Sequence, residues 1–443
     1  MNPSSVTWRL PSLLLLTLGL ASPWVTPALA AGGSRPVSAS AVAPGATYVR
    51  GPAAAVDSLN GLALELPRGW FAIVPRDGQG STTVANYDLE RVESWMPEHS
   101  SHVLLPEMVK VDLSRQSLAA GETLESWIEH RRTEIRLGSP TPMGTREEGY
   151  PVSDAVAVDL GGQQGYGWAV EAGIASSLEL AFPWGKGGVM LAVVMPADSR
   201  RLPAALELVG RVYAPGAKPS GREGAVAAAA ANLVELADTL PAAIQAGECS
   251  LWTGSDSGSY AANTGITLYL PFFFQTWWQA GGAGAFWGNL FHGNCYDDYF
   301  AIDFNQMNSS CTGYLEDSGQ SVYAAANGTA FTFTSTTGYG NRVDVVHSGG
   351  YMTRYGHLSS ILVANNSAVT TQTVVGRVGA TGNAAGPHLH FGFYQNGVSR
   401  CNRAGGCPNG EAAKSPQTQK PSPMNTNLGS RAIFDGGCFQ APP

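Results

Sequence analysis

The sequence predicts two folded regions of different class, an α/β region followed by a mainly β region. At 443 residues the chain is longer than one ordinary domain. Before residue 215, strand-like alternation mixes with helical periodicity, whereas beyond residue 249 short β-type runs recur between turn residues. A content of 54 Gly and 28 Pro also favours turns and short strands over long helices.

The first region, residues 56–214, is predicted to be an α/β (α+β) sandwich domain. Its strand signals are Leu62, Leu64 and Leu66 in alternation, then 70–75, 155–160 and 189–194. Its helix signals are 122–135, with Leu124, Trp127, Ile128 and Ile135 on one face, and 202–212. The order of elements resembles the PsbP/Mog1-like sandwich in outline. No catalytic constellation is present here, and His99, His102 and His130 are interpreted as surface residues.

Three further segments surround this region. Residues 1–30 are predicted to be a signal peptide, because Arg9 precedes a short apolar run and an A-x-A pattern ends at Ala30. Residues 31–55 are predicted to be a flexible lead-in. Residues 215–248 are Ala-rich and predict a linker, which is also a plausible place for proteolytic processing.

Charge and hydropathy restrict the partners and the location. The net charge of −8 gives no basic surface for nucleic acid. After the signal peptide no run of 18 apolar residues occurs, so stable membrane insertion is not expected. We expect a secreted or cell-envelope protein that is monomeric.

The cysteines lie only in the second region, residues 249–443. An even number in an exported chain predicts three disulfides. Six cysteines allow 15 pairings, among which the sequence does not choose. The pairs we favour are the short-range Cys295–Cys311 and Cys401–Cys407, which leaves Cys249–Cys438.

The stretch 388-HLHFGF-393 carries the first chemical signal of the second region. In a strand, His388 and His390 point to one face while Leu389 and Phe391 point to the other. Two such imidazoles can hold a metal, or they can be two exposed strand histidines. The H-x-H pattern alone favours the second interpretation.

Other residues of the region change that balance. Within 299-YFAIDF-304, Asp303 faces away from its apolar neighbours, where a lone carboxylate is costly unless paired or metal-bound. His292 precedes it, and His357 ends 351-YMTRYGH-357 with Tyr355 on its face. Tyr355 is expected either to line a groove or to pack. Two His plus one carboxylate is a known catalytic zinc set. His347 is interpreted as a turn residue.

Several spaced motifs carry a specific resemblance. In order along the chain they are LYLPF…FHG…AIDF (268–304), VYAAANGTAF (322–331), YGHLSSI (355–361) and VGRVGATGNAAGPHLHF (375–391). Together they resemble the M23 family of zinc metallopeptidases, which includes lysostaphin, β-lytic and staphylolysin types. The resemblance covers residues 265–395 and implies a mainly antiparallel β domain that cleaves short peptide bridges of bacterial peptidoglycan, often at glycine-containing bonds.

The same resemblance implies a role for each site residue. His292, Asp303 and His390 correspond to the Zn²⁺ ligands, and His357 and His388 to the two catalytic histidines of the groove. The spacing departs from the family's common H-x3-D, because ten residues separate His292 from Asp303, as in the β-lytic and staphylolysin branch. Gly392 replaces a Glu that the family often has after HLHF, and that Glu is not a ligand.

A chemical expectation follows from those roles. Without the Glu of an HExxH helix, His357, His388 or both must position the water, accept its proton or stabilise the oxyanion. Activity is expected near neutral or mildly alkaline pH, because ligand histidines must be neutral. The stretch 379-GATGNAAGP-387 lacks the Lys of a phosphate loop and is interpreted as a tight turn beside a narrow groove.

Three hypotheses remain for the whole chain. The first is a secreted zinc metalloendopeptidase made as a precursor, with residues 31–248 removed. The second is a non-catalytic envelope protein that uses an M23-like fold to bind wall peptide or regulate another hydrolase. The third keeps the enzyme but makes residues 56–214 a permanent accessory domain that binds the cell wall or a ligand.

Overall fold

The computed structural model describes most of the two predicted regions. The described residues are 45–92, 104–144, 149–160, 162–172, 175–196, 199–216, 266–280, 301–334, 338–395, 417–418, 424–426, 429–431 and 437–442. The predicted signal peptide, most of the lead-in and nearly all of the linker lie outside them. None of the helices in the described ranges is long and apolar enough to cross a membrane.

The first region is built from antiparallel strands and two helices. Its strands are β1 (Ala46–Arg50), β2 (Ala53–Asp57), β3 (Leu62–Leu66), β4 (Phe71–Pro75), β5 (Gln79–Gly80), β6 (Thr82–Ala85), β7 (Val109–Ser117), β8 (Val156–Leu160), β9 (Gln163–Ala172), β10 (Ala175–Pro183) and β11 (Gly188–Pro196). Its helices are α1 (Leu124–Leu137) and α2 (Leu202–Gly210), with short 3₁₀ turns at Leu89–Arg91 and Ser199–Arg201. Strands β2 and β3 form a separate hairpin.

Alternation along the strands places one helix on each face of the main sheet. The strand order is β1-β4-β6-β7-β11-β10-β9-β8. On β11, Met190 and Val194 pack with the apolar side of α2, whereas Leu191 and Val193 pack with Ile128 of α1. Helix α1 begins with a capping box formed by Thr123 and Ser126, which satisfies its first amide groups. The region thus buries apolar residues on both faces of one sheet.

The second region is mainly antiparallel β, as predicted. Its strands are β12 (Trp277–Ala280), β13 (Ile302–Met307), β14 (Ser321–Tyr323), β15 (Gly328–Phe333), β16 (Arg342–His347), β17 (Tyr351–Gly356), β18 (Ser360–Ile361), β19 (Ser367–Val369), β20 (Val374–Arg377), β21 (Leu389–Gln395), β22 (Gln417–Thr418), β23 (Met424–Thr426), β24 (Gly429–Arg431) and β25 (Cys438–Gln440). The main sheet has the order β19-β15-β16-β17-β21-β13-β12-β25, with β22 beside β21.

The register of three central strands brings the site together. His390 on β21 pairs with Asp303 on β13 and with Gly356 at the end of β17. The opposite face of these strands carries Phe304 and Phe391, which belong to the apolar core. One face of the sheet therefore holds the ionisable residues, and the other buries the aromatic ones.

The predicted disulfide pairing is wrong for two of the three pairs. Cys311 bonds Cys438 at a sequence separation of 127, so neither Cys295–Cys311 nor Cys249–Cys438 forms. The bond joins the turn after β13 to β25. These two strands are close together because β12 lies between them and pairs with both. Sequence separation could not reveal that proximity. The predicted Cys401–Cys407 pair lies outside the described residues.

A strand of the first region completes a sheet of the second. Strand β5 pairs with β18, and the sheet order is β14-β20-β18-β5. Beside it, Arg377 binds the carboxylate of Asp77 at 2.7 Å, and the Ser81 amide donates to the Ser359 carbonyl at 3.1 Å. Main-chain pairing of this kind fixes the register of the two regions as firmly as it fixes strands within a sheet.

A buried charged pair makes the deepest polar contact between the regions. The ammonium of Lys110 on β7 donates to the carbonyls of Ala380 and Gly382, each at 2.5 Å. The carboxylate of Asp112 lies 3.4 Å from that ammonium and accepts from the Gly382 amide at 2.9 Å. Burial lowers the pKa of Lys110 and raises the pKa of Asp112, while each charge opposes the shift of the other. The pair thus holds both sides of the 380–382 turn.

A second contact between the regions is sensitive to pH. Glu90 accepts from the Asp317 amide at 3.1 Å. Burial raises the pKa of Glu90 to about 7, although hydrogen bonds from Ser318 and from the Asp317 amide oppose the shift. The nearby carboxylate of Glu316 raises it further.

The Lys110–Asp112 pair gives a stability prediction. The Lys110→Met variant leaves the Asp112 carboxylate buried without its cation, and breaking one side of a buried pair costs about 3–5 kcal/mol. Urea unfolding of the full chain should show a loss of that size, and adding Asp112→Asn should recover part of it. Arg50→Met is the control, because Arg50 is half-exposed where it faces Asp88 and should cost below about 1 kcal/mol. Equal losses for Lys110→Met and Arg50→Met would contradict the account.

Glu90 gives a pH prediction. Because its pKa is raised from 4.5 to about 7, the folded chain keeps a proton there that the unfolded chain releases. That stabilisation is present at low pH and is lost as pH rises through 7. The free energy of unfolding should therefore fall by up to about 3 kcal/mol more between pH 5 and 8 in the wild type than in Glu90→Gln. Parallel pH profiles would show that Glu90 titrates normally.

Candidate active site

Three of the predicted site residues converge on one carboxylate oxygen. Asp303 Oδ1 lies 3.2 Å from His390 Nδ1 and 3.6 Å from His388 Nε2. All three side chains are at most 1% exposed. Adjacent strands bring them there, because β13 carries the carboxylate and β21 carries or adjoins the imidazoles. An anionic oxygen facing two ring nitrogens is a donor set of the kind that zinc takes.

The fourth described residue reaches the site through an unusual backbone conformation. His357 follows the last residue of β17 with a φ of 58°, a left-handed conformation that is rare outside glycine. Its ring centroid lies 4.8 Å from that of His388 and 5.7 Å from that of His390. The backbone is held there by a hydrogen bond from the His357 amide to the Tyr339 carbonyl at 2.7 Å.

Main-chain carbonyls fix which ring nitrogen of His357 and of His388 carries the proton. Nδ1 of His357 lies 2.8 Å from the carbonyl of Thr381, and Nδ1 of His388 lies 2.9 Å from the carbonyl of Gly386. A carbonyl oxygen only accepts, so each Nδ1 carries the proton when the ring is neutral. Each Nε2 then holds a lone pair, which is the form that accepts a proton. Both carbonyls belong to the turn before β21.

The expectation that Tyr355 and His357 share a face is not met. Tyr355 is buried in the core against Phe391, at 5.5 Å between ring centroids. Its hydroxyl accepts from the Ala325 amide at 2.6 Å and bonds Thr353 at 2.9 Å. Alternation fails at this point because the positive φ of His357 ends the strand geometry. Of the two roles left open for Tyr355, the structure shows packing.

The interpretation of His347 as a turn residue is wrong. It ends β16 but is buried, with Nδ1 at 2.8 Å from the Asn327 carbonyl and Nε2 at 2.9 Å from Thr353 Oγ1. Burial lowers its pKa, and the bond to Asn327 opposes that shift. His347 is therefore a polar core residue and does not belong to the cluster of Asp303, His388 and His390. His130 is exposed on α1, as predicted, whereas His99 and His102 lie outside the described residues.

Aromatic and cationic side chains flank His390 on the β17 side. The ring of Tyr339 lies 5.0 Å from His390, and the Arg354 guanidinium lies 4.5 Å from the Tyr339 centroid. Arg354 binds both oxygens of Asp344 at 2.9 Å. Burial would raise the pKa of Asp344, but Arg354 and Arg342 hold it below its usual range. This arrangement fixes one wall of the site with a permanently charged pair.

The predicted ligand set is only partly within the described residues. Asp303 and His390 face each other as the prediction requires, but His292 lies outside the described residues and stays a prediction. Across those residues, no group of three His, Cys, Asp or Glu side chains meets the geometry of a metal site. The two described donors fit zinc in type, since an imidazole nitrogen and a carboxylate oxygen are both common zinc ligands.

The sequence did not reveal the groups that hold the histidines. They include the carbonyls of Thr381 and Gly386 and, behind them, the Lys110–Asp112 pair. Backbone acceptors leave no signature in side-chain patterns, and Lys110 lies about 270 residues before the turn that it binds. The glycine turn itself was predicted, and it lies at the edge of the site.

Comparisons with known proteins agree with this geometry. Residues 311–401 match the profile of Peptidase family M23. The peptidoglycan DD-endopeptidase ShyC of Vibrio cholerae serotype O1 is 35% identical over 89 residues, which is 20% of this chain and 21% of that protein. The DD-carboxypeptidase/endopeptidase Mpg of Neisseria meningitidis serogroup B is 39% identical over 84 residues, 19% of either chain. The chain thus spans about a fifth of the length of these curated relatives.

The chain is also similar in sequence to a protein of solved structure. The M23 metalloprotease pseudoalterin, described as coming from the deep sea, is 26% identical and covers 40% of this chain and 96% of its own, with a TM-score of 0.24. The matched segment contains His357, His388 and His390, whereas Asp303 lies just before it. The match assigns residues 311–401 to peptidase family M23, which confirms the resemblance of the motifs in that part of the chain.

The core role of Tyr355 gives a prediction. Tyr355→Phe leaves the Ala325 amide buried without its acceptor, which should lower the free energy of unfolding by about 1–3 kcal/mol. Tyr351→Phe is the matched control, because the Tyr351 hydroxyl has only a 3.4 Å bond from Gln395, and we expect a change below about 0.5 kcal/mol. Urea unfolding measures both. Equal losses would remove the special role of the Tyr355 hydroxyl.

Proposed function

We propose that the protein is a secreted zinc metalloendopeptidase that hydrolyses peptide bonds in the cross-bridges of bacterial peptidoglycan. The observation that carries the proposal is the convergence of His388 and His390 on Asp303, with the His357 ring beside them. A purely structural role would not require four nearly inaccessible ionisable side chains at one point, because each is costly to bury.

Each described site residue has a part in this proposal. Asp303 and His390, with His292, would hold the zinc ion, which supplies Lewis acidity at the scissile carbonyl. His388 and His357 present unprotonated Nε2 atoms when neutral, so one of them accepts the proton of the attacking water. That ring, now protonated at Nε2, donates a hydrogen bond to the developing oxyanion and then passes the proton to the leaving amine, while the lone pair of the other ring helps to orient the water. The carbonyls of Thr381 and Gly386 keep both rings in that tautomer.

The proposed substrate rests on two considerations. Two relatives from Vibrio cholerae, ShyC and ShyA, are peptidoglycan DD-endopeptidases, and peptidoglycan lies in the cell envelope. Glycine-containing bonds are proposed because the motifs resemble those of lysostaphin-type peptidases, and the glycine-rich turn that borders the site is closely packed. At Gly382, an added Cβ would lie 2.4 Å from the amide of Gly340. A narrow groove favours peptides with small side chains.

We further propose that the chain is made as a precursor. The four described site residues are at most 2% exposed, so a peptide cannot reach them without movement. Residues of the first region pack on the turn that borders the site: Tyr87 donates to the Ala385 carbonyl at 2.7 Å, and Leu89 and Val92 join Ala384 in one apolar cluster. Cleavage in the 215–248 linker, followed by release of the first region, would open the groove.

The enzymatic part of the proposal predicts release of amino groups from purified peptidoglycan and from pentaglycine. The full chain is assayed before and after limited proteolysis within residues 215–248. Activity should disappear with a zinc chelator and in His390→Ala, and return when zinc is restored to the wild type only. Activity should be highest near neutral pH and lost by about pH 4, because free histidine titrates near 6.5. A zinc-loaded, processed chain that releases nothing would favour a non-catalytic wall-binding protein.

The precursor part predicts that processing raises the rate at least tenfold. Lys110→Met/Asp112→Asn should give the unprocessed chain part of that activity, since the contact with the 380–382 turn is weakened. Arg50→Met should leave the unprocessed chain latent. Equal activity before and after cleavage would instead make residues 56–214 a permanent accessory domain.

A further inference from the structure

A side chain that the family motifs do not include lies on the site face of β13. Asn305 comes two residues after Asp303, so both point to the same face of the sheet. Phe304 pairs with Leu389 in the antiparallel ladder between β13 and β21. The next pair in that register places Asn305 opposite His388. The side-chain amide of Asn305 is thus on the same face of the sheet as Asp303, next to the start of β21, where His388 lies.

Asn305 is buried, and its side chain has no hydrogen-bond partner among the described residues. Its side chain is 1% exposed, and in the described part of the chain neither its amide nitrogen nor its carbonyl oxygen is bonded. Leaving both ends of a buried amide unsatisfied costs folding free energy that an apolar side chain of the same shape would not. Both ends of this amide are therefore free to bond a partner from outside the described residues.

The neighbouring amide shows the contrast. Gln279 on β12 is the direct cross-strand partner of Asn305, and its carbonyl oxygen accepts from the Tyr314 hydroxyl at 3.0 Å. Gln279 therefore has an internal partner of the kind that a structural amide normally has. Asn305 lies one strand closer to the site and has none.

The carboxamide matches one class of ligand. It offers a donor and an acceptor side by side, which is the complement of the carbonyl and amide of an extended peptide chain. Resting on the proposed function, we propose that Asn305 binds the main chain of the substrate peptide beside the scissile bond, on the His388 side. Such a contact recognises the backbone and is independent of the substrate's side chains, which suits a peptide rich in glycine.

The test compares Asn305→Leu with Gln306→Leu in the full chain, before and after limited proteolysis within residues 215–248. Gln306 is the matched control, because it is the adjacent amide on the opposite face, paired with Trp278. Asn305→Leu should have a thermal midpoint equal to or above that of the wild type. It should keep its zinc content yet bind pentaglycine about 3- to 10-fold more weakly by calorimetry, the range expected for one net hydrogen bond. Gln306→Leu should bind within about twofold of the wild type.

A second measurement needs no variant. The side-chain amide resonances of Asn305 in the wild type should shift when pentaglycine is added to the processed chain. Unchanged affinity in Asn305→Leu, or unchanged resonances, would overturn the inference and make Asn305 a packing residue. A wild type that does not bind pentaglycine would overturn it too.

Failure of the inference and failure of the proposed function give different results. If the wild type binds pentaglycine but cleaves neither it nor peptidoglycan, the proposed function fails, and the binding ratio still decides the role of Asn305. If the wild type cleaves and Asn305→Leu binds and cleaves equally well, only the inference fails.

Discussion

In the full chain, the arrangement of the site depends on the hydrogen bonds that the buried Lys110 ammonium donates to the 380–382 turn. This ammonium holds two carbonyls of the 380–382 turn, while Asp112 holds an amide of the same turn. The carbonyl of the intervening Thr381 accepts a hydrogen bond from Nδ1–H of His357. Two hydrogen bonds, with the backbone of the 380–382 turn between them, therefore connect the Lys110 ammonium of the first region with the His357 ring of the second. Such a pair is costly to desolvate, and it persists because nearly all of its hydrogen-bonding capacity is satisfied.

This connection gives the first region two effects at once. It holds the turn that borders the site histidines, and its residues pack on that turn. If the chain is a precursor, as proposed, removing the region would give up the first contact and expose the histidines. The paired strands β5 and β18 and the Asp77–Arg377 ion pair make the same boundary strong in other places. The partly protonated Glu90 weakens it as pH rises. The chain thus combines a strong contact with one that responds to pH.

Much of the site was predictable from the sequence, because strand alternation is a local property. Asp303, His388 and His390 share one face as the pattern required, and the apolar residues between them fill the core. The prediction was incomplete where the backbone leaves regular strand geometry. At His357 the positive φ turns the side chain to the face of the sheet opposite that of Tyr355. It also failed where distant segments meet. The Cys311–Cys438 bond and the buried role of His347 depend on which strands are neighbours, and spacing along the chain does not encode that.

The most direct test of this account is amide hydrogen exchange across residues 379–390 in the full chain, for the wild type and Lys110→Met. If the ammonium holds the turn, exchange in the variant should become faster over 379–388, while the amides of β16 and β17 keep their protection. Unchanged exchange in the turn, with the variant otherwise folded, would contradict the claim that the first region orders the site.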